Sequence, residues 1–113
     1  MAVDILEQGT IIWVNFRPVK GHEQDGIRPA LVVSISDFQR LNNLIMVMPI
    51  SNREQSFPMH VPLDSRTQTT GSILTEHIKS IDPNERLVKV VEMCPNDKVQ
   101  QALDLLYDST SLK

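Results

Sequence analysis

From Thr10 to Phe16 the chain alternates: Ile12, Val14 and Phe16 fall on one face of an extended segment, Ile11, Trp13 and Asn15 on the other. A period of two predicts a strand. A second strand is predicted over Ala30–Val33, and a third over Leu44–Ile50, apolar on both faces and therefore buried and central. Pro49 marks the exit of that third strand, where a missing donor is tolerated. Phe57–Leu63 reads as a fourth strand, assigned to a sheet edge because it carries Pro58 and Pro62. Ser72–Ile78 and Leu87–Val91 give a fifth and a sixth. Asp37–Asn43 reads as a loop or single helical turn, Arg66–Thr70 as a turn closed by Gly71, and Asp82-Pro83 as an N-cap with a first-turn proline. Beyond Pro95 the period changes: Val99, Ala102, Leu103 and Leu106 form one helical stripe. Short strands, frequent turns and a terminal helix predict a mainly β (α+β) fold, a small antiparallel barrel with a C-terminal helix.

A chain of 113 residues is expected to form a single domain, residues 1–113, with a modest core. Aromatics are only 4% of it, so Ile, Val, Leu and Met must fill that core. The net charge of −3 excludes nucleic-acid binding by bulk electrostatics and requires a local basic patch instead. Cys94 is the one cysteine, so neither an internal disulfide nor a thiolate zinc site is expected. No leader pattern is seen and no apolar run approaches the ~20 residues that cross a bilayer, so a cytoplasmic location is expected.

The polar loop between the first two strands concentrates the chemistry. It holds Arg17, Lys20, His22, Glu23, Gln24, Asp25 and Arg28 between Pro18, Gly21 and Gly26. Pro29 restricts Arg28 to extended backbone, which stiffens a guanidinium able to fork onto a phosphate; an ordinary ion pair with Glu23 or Asp25 is the plainer reading. His22, with an imidazole pKa near ~6.5, can carry protons at neutral pH or simply be a solvated loop residue. Glu23 would orient Arg28 or His22, or tie down the loop. Ser51 is either a phosphate-binding hydroxyl or a turn-stabilising one. Arg17, Lys20 and Arg53 would line a groove for a phosphate backbone, with Gln24 and Asn52 beside them. Phe57 would stack on a base or pack in the core. His60 and His77 lack metal-ligand spacing, so no metal and no cofactor are expected.

In order, G-x-I-x-W-V-x-F followed by P-x-x-G-H-E-Q-x-G-x-R-P, from Gly9 to Pro29, resembles the opening of the MazF/PemK/Kid toxins. Pro49-Ile50-Ser51, Phe57-Pro58, Gly71 and Lys79–Asp82 extend the likeness over nearly the whole chain. The resemblance implies an SH3-like barrel, a homodimer, a cognate antitoxin and metal-independent cleavage of single-stranded RNA through the substrate's 2′-hydroxyl. It makes Arg28 catalytic and puts Ser51 where these toxins usually carry a phosphate-holding Thr. Leu74 and Glu76 stand where Kid-type members have an Arg and an Asp, so a mechanism resting on that arginine is excluded. The CcdB gyrase poison shares the barrel, which makes a non-catalytic topoisomerase binder one rival reading. A toxin that binds RNA or antitoxin without cutting is another. The G-H-E-Q loop favours the ribonuclease.

Overall fold

The computed structural model describes residues 3–17, 26–53 and 57–112. Seven strands appear: β1 (Thr10–Asn15), β2 (Ile27–Val32), β3 (Ile45–Ser51), β4 (His60–Pro62), β5 (Ser72–Leu74), β6 (Lys79–Ile81) and β7 (Leu87–Met93). Three helices accompany them: α1 (Ser36–Asn42), α2 (Pro83–Arg86) and α3 (Asn96–Thr110). The strands run in the order β4-β5-β3-β2-β1-β7, with β6 also on β3, and the pairings are antiparallel. The antiparallel sheet and terminal helix are as the pattern predicts. The barrel is not closed, because among the described residues β4 and β7 end the path without pairing to each other.

Alternation along β1, β2 and β3 divides the core into two layers. Ile11, Leu31, Met48 and Ile50 face one cluster, which α3 covers with Val99 and Ala102. Ile12, Val14, Ala30, Val32, Ile45 and Val47 face the other, which Leu6, Phe16 and Ile81 complete. Both faces of the central strands are thus apolar because both are buried, as the unbroken run in β3 predicts.

Pro49 lies inside β3 rather than at its exit, and its position is explained by the edge it serves. Met46 directs its N–H to Ser34 Oγ at 3.0 Å, and its carbonyl accepts from Val33 N at 2.9 Å, both on the β2 side. Alternate residues, Pro49 among them, therefore address the opposite edge. There β6 pairs as far as Val47 and β5 resumes at Ile50, so the missing donor falls in the gap.

The same gap breaks the predicted fifth strand. After β5 the chain makes a 3-10 turn, Thr75–His77, before β6 joins β3. The register on β3 slips by three residues between β5 and β6, the length of that turn. Thr75 anchors it by donating both its hydroxyl and its amide to the Met59 carbonyl. The predicted fourth strand is likewise shorter: His60 N donates back to Phe57 O at 2.9 Å, so a turn occupies its first half. Its edge position and Pro62 agree with the prediction. Asp82 caps α2 by accepting from Asn84 N at 2.9 Å, with Pro83 at the first helical position.

Candidate nucleic-acid groove

Arg28 and Ser51 meet because of strand register. β2 and β3 pair Ala30 with Pro49, and continuing that antiparallel register by two residues sets Arg28 opposite Ser51. Both residues, with Asn52, line an open groove of about 480 Å3. Its floor is the outlying part of the α3-covered face. Trp13 lies two residues beyond Ile11, Pro29 two beyond Leu31, and Ile50 and Val91 complete the surface. Trp13 pairs with Pro29 on one side and Lys89 on the other, forming a row across three strands. Ser51 is only 4% exposed, and its Oγ accepts from Arg53 N at 3.1 Å.

The opposite wall is lined by Gln68, Thr69 and Thr70, within the segment 64–71. Glu92 on β7 accepts three hydrogen bonds from it: Gln68 N at 3.0 Å, Thr69 N at 2.9 Å and Thr69 Oγ1 at 2.7 Å. Burial raises the Glu92 pKa, but these three donors outweigh it and hold the carboxyl below its ordinary 4.5. Asn52 Nδ2 donates across the groove's end to Thr70 Oγ1 at 3.3 Å. At the base of the wall the Arg66 fork binds both Asp64 and Asp97, each at 2.8 Å, and lowers both carboxyls. Gly71 closes the wall at φ +111°, and a Cβ there would lie 2.5 Å from the Ser51 carbonyl oxygen. Only glycine fits.

Arg28 and Lys89 supply positive charge, and among the described residues no carboxylate lines the groove. A chain of net charge −3 thus presents a local cationic surface beside an indole. Arg17 is elsewhere. It lines a second groove with Phe16, Lys79 and Arg86, in which Lys79 Nζ lies 5.5 Å from the Phe16 ring centre. Arg53 is exposed next to Ser51. Phe57 is 47% exposed with its ring 4.9 Å from that of His60, so the core role is not the one it fills. Lys20, His22, Glu23 and Gln24 lie outside the described residues.

Glu76 sits in the 3-10 turn and pairs with the buried His60 at 2.7 Å. Cys94 is buried, and burial, with Asp97 nearby, pushes its thiol up to about 11, so it is no thiolate at neutral pH. Groups of three or more His, Cys, Asp or Glu side chains placed to hold a metal do not occur among the described residues. Lys89, Gln68, Thr69, Thr70 and Glu92 were not singled out from the sequence as site residues, and Trp13 was read only as a strand and motif residue. Trp13 carried the one available signal, an aromatic on the less apolar face of β1.

Three comparisons bear on this geometry. The sequence model of the family described as PemK-like, MazF-like toxin of type II toxin–antitoxin system matches residues 7–109. The endoribonuclease toxin ChpB of Escherichia coli is 34% identical over 102 residues, covering 86% of this chain and 87% of that protein. Endoribonuclease PemK of Escherichia coli is 32% identical over 105 residues, covering 89% and 79%. A crystal structure of MazF from Deinococcus radiodurans superposes with a TM-score of 0.90 at 28% identity, covering 97% of this chain and all of that one. A MazE–MazF complex from the same organism superposes at 0.79 with 29% identity, covering 96% of this chain and all of that one.

Proposed function

Since the chain belongs to the PemK-like, MazF-like toxins of type II toxin–antitoxin systems, we propose that it is an endoribonuclease that cleaves single-stranded RNA in the Arg28–Ser51 groove. One observation carries this reading. Strand register sets Arg28 beside Ser51, and both residues line one groove that also holds Lys89 and, among the described residues, no carboxylate.

The chemistry follows from those groups. The 2′-oxygen of one nucleotide attacks the adjacent phosphorus, forming the O2′–P bond as the P–O5′ bond breaks. The 2′-proton passes to a base, and the departing 5′-oxygen takes a proton. The products are a 2′,3′-cyclic phosphate and a 5′-hydroxyl. Charge grows on the non-bridging oxygens in the transition state, and groups aimed at it lower the barrier. Arg28 and the Ser51 hydroxyl fill that role, with Lys89 adding charge and Trp13 offering a face on which a base stacks. A guanidinium with a pKa above ~12 is a reluctant base, so the proton transfers are assigned to His22, oriented by Glu23. No metal is required by this scheme.

A cognate antitoxin and a homodimer belong to the same proposal. The antitoxin would lay an acidic segment into the cationic surface and compete with RNA there. Val88, Val90 and Met93, each about half exposed on edge strand β7, support burial against a second copy. No helix among the described residues is long and apolar enough to cross a membrane, and a protein that cuts messenger RNA would work in the cytoplasm.

Arg28→Ala tests the reading. Cleavage should be abolished while thermal stability stays within about 0.5 kcal/mol, because Arg28 lies outside both core clusters. A folded variant that cuts like the wild type would remove Arg28 from the mechanism.

A further inference from the structure

The wall opposite Arg28 and Ser51 has a feature that phosphate chemistry does not require. Glu92 fixes the backbone on both sides of Gln68, since its carboxylate takes the amides of Gln68 and Thr69 and the Thr69 hydroxyl. The Thr67 hydroxyl adds a bond to Thr69 O at 2.7 Å, and the Arg66 fork secures the base of the wall to Asp97 of α3. Two exposed residues of this surface segment line the groove, Gln68 and Thr70, and Thr70 Oγ1 accepts from Asn52 Nδ2. The Gln68 amide hydrogen is committed to Glu92, whereas no described residue bonds its carboxamide.

A carboxamide offers a donor and an acceptor side by side, the pairing that reads the edge of an unstacked base. Phosphate binding needs only donors and is served across the groove. We propose that Gln68 is a specificity-determining residue, hydrogen-bonding the edge of one RNA base next to the cleaved linkage, and that Glu92 is its positioning residue. This rests on the endoribonuclease reading above. Trp13 on the floor would stack a base, and the wall would then test which base it is. Stacking is indifferent to sequence, so discrimination falls to the carboxamide.

The experiment maps cleavage sites on an RNA pool of random sequence for wild type, Gln68→Ala, Gln68→Glu and Glu92→Gln. It then measures kcat and KM on the preferred RNA and on RNAs substituted at each position of the preferred motif. Gln68→Ala should relax preference at one position only, lowering the kcat/KM ratio between preferred and substituted RNA by roughly 5- to 150-fold, the value of one bidentate base contact. Gln68→Glu removes the donor and should move the preferred base at that same position to one presenting donors. Glu92→Gln should weaken discrimination at that position and raise KM more than it lowers kcat, a split that general loss of fold would not give. An active Gln68→Ala enzyme with unchanged preference at every position overturns this proposal alone. A wild-type protein that cuts no RNA in the pool overturns the endoribonuclease reading and this one with it.

Discussion

Ser51 and Gly71 touch through their backbones, and that contact couples the two walls of the groove. At φ +111° any side chain on residue 71 is strained, and its Cβ would push 2.5 Å from Ser51 O and 2.7 Å from Ser51 C. Gly71→Ala should therefore cost more than about 1 kcal/mol of stability. It should also impair cleavage by displacing Ser51, which calorimetry and a cleavage assay together would detect. An unchanged melting temperature with unchanged cleavage would show that the contact does not position Ser51. At this scale the sequence was informative where chemistry is local. Arg28 was singled out by the proline that follows it together with the family resemblance, and Ser51 by the resemblance. Asn52 was singled out by its place in the polar loop after the third strand, and the structure places all three along one groove. Lys89, Gln68 and Glu92 were not legible, because their meaning depends on which strand lies beside which. Glu92 falls just past the predicted sixth strand, Leu87–Val91, and only the tertiary fold brings it to the amides of Gln68 and Thr69.

The segment from Asp64 to Gly71 is the element on which the proposed base specificity rests. Its two ionic anchors are carboxylates with lowered pKa values, Glu92 below 4.5 and Asp97 below 3.8. A lowered folded pKa means that the stabilisation is fully present above the ordinary value and disappears as pH falls through the folded one. Protection factors of the Gln68 and Thr69 amides should accordingly stay constant from pH 8 to 5 and fall only below about 4.5. Loss of protection between pH 7 and 5.5 would contradict the clamp. The predicted fifth strand shows what periodicity misses at this scale. Residues 72–78 alternate well enough for one strand, yet β3 needs two partners on the same edge, and the chain spends Thr75–His77 crossing between them. That demand is tertiary and leaves no local mark.

Across the whole molecule, the antiparallel sheet, the edge β4, the central β3 and the covering helix were all legible, because each follows from where apolar residues fall. Closure was not, since an open and a closed sheet share the same alternation; here β4 and β7 remain unpaired ends. The separation of Arg17 from Arg28 was equally hidden, as the two lie in one loop by sequence but in two grooves by structure. The net charge of −3 makes the account depend on a local cationic surface rather than on general attraction to RNA. The most direct measurement is therefore cleavage itself: the purified wild-type chain incubated with a long single-stranded RNA in excess EDTA, with the ends of every product identified. The account predicts discrete cuts in the chelator, each leaving a 2′,3′-cyclic phosphate and a 5′-hydroxyl. Intact RNA, or products ending in a 3′-hydroxyl and a 5′-phosphate, would contradict it.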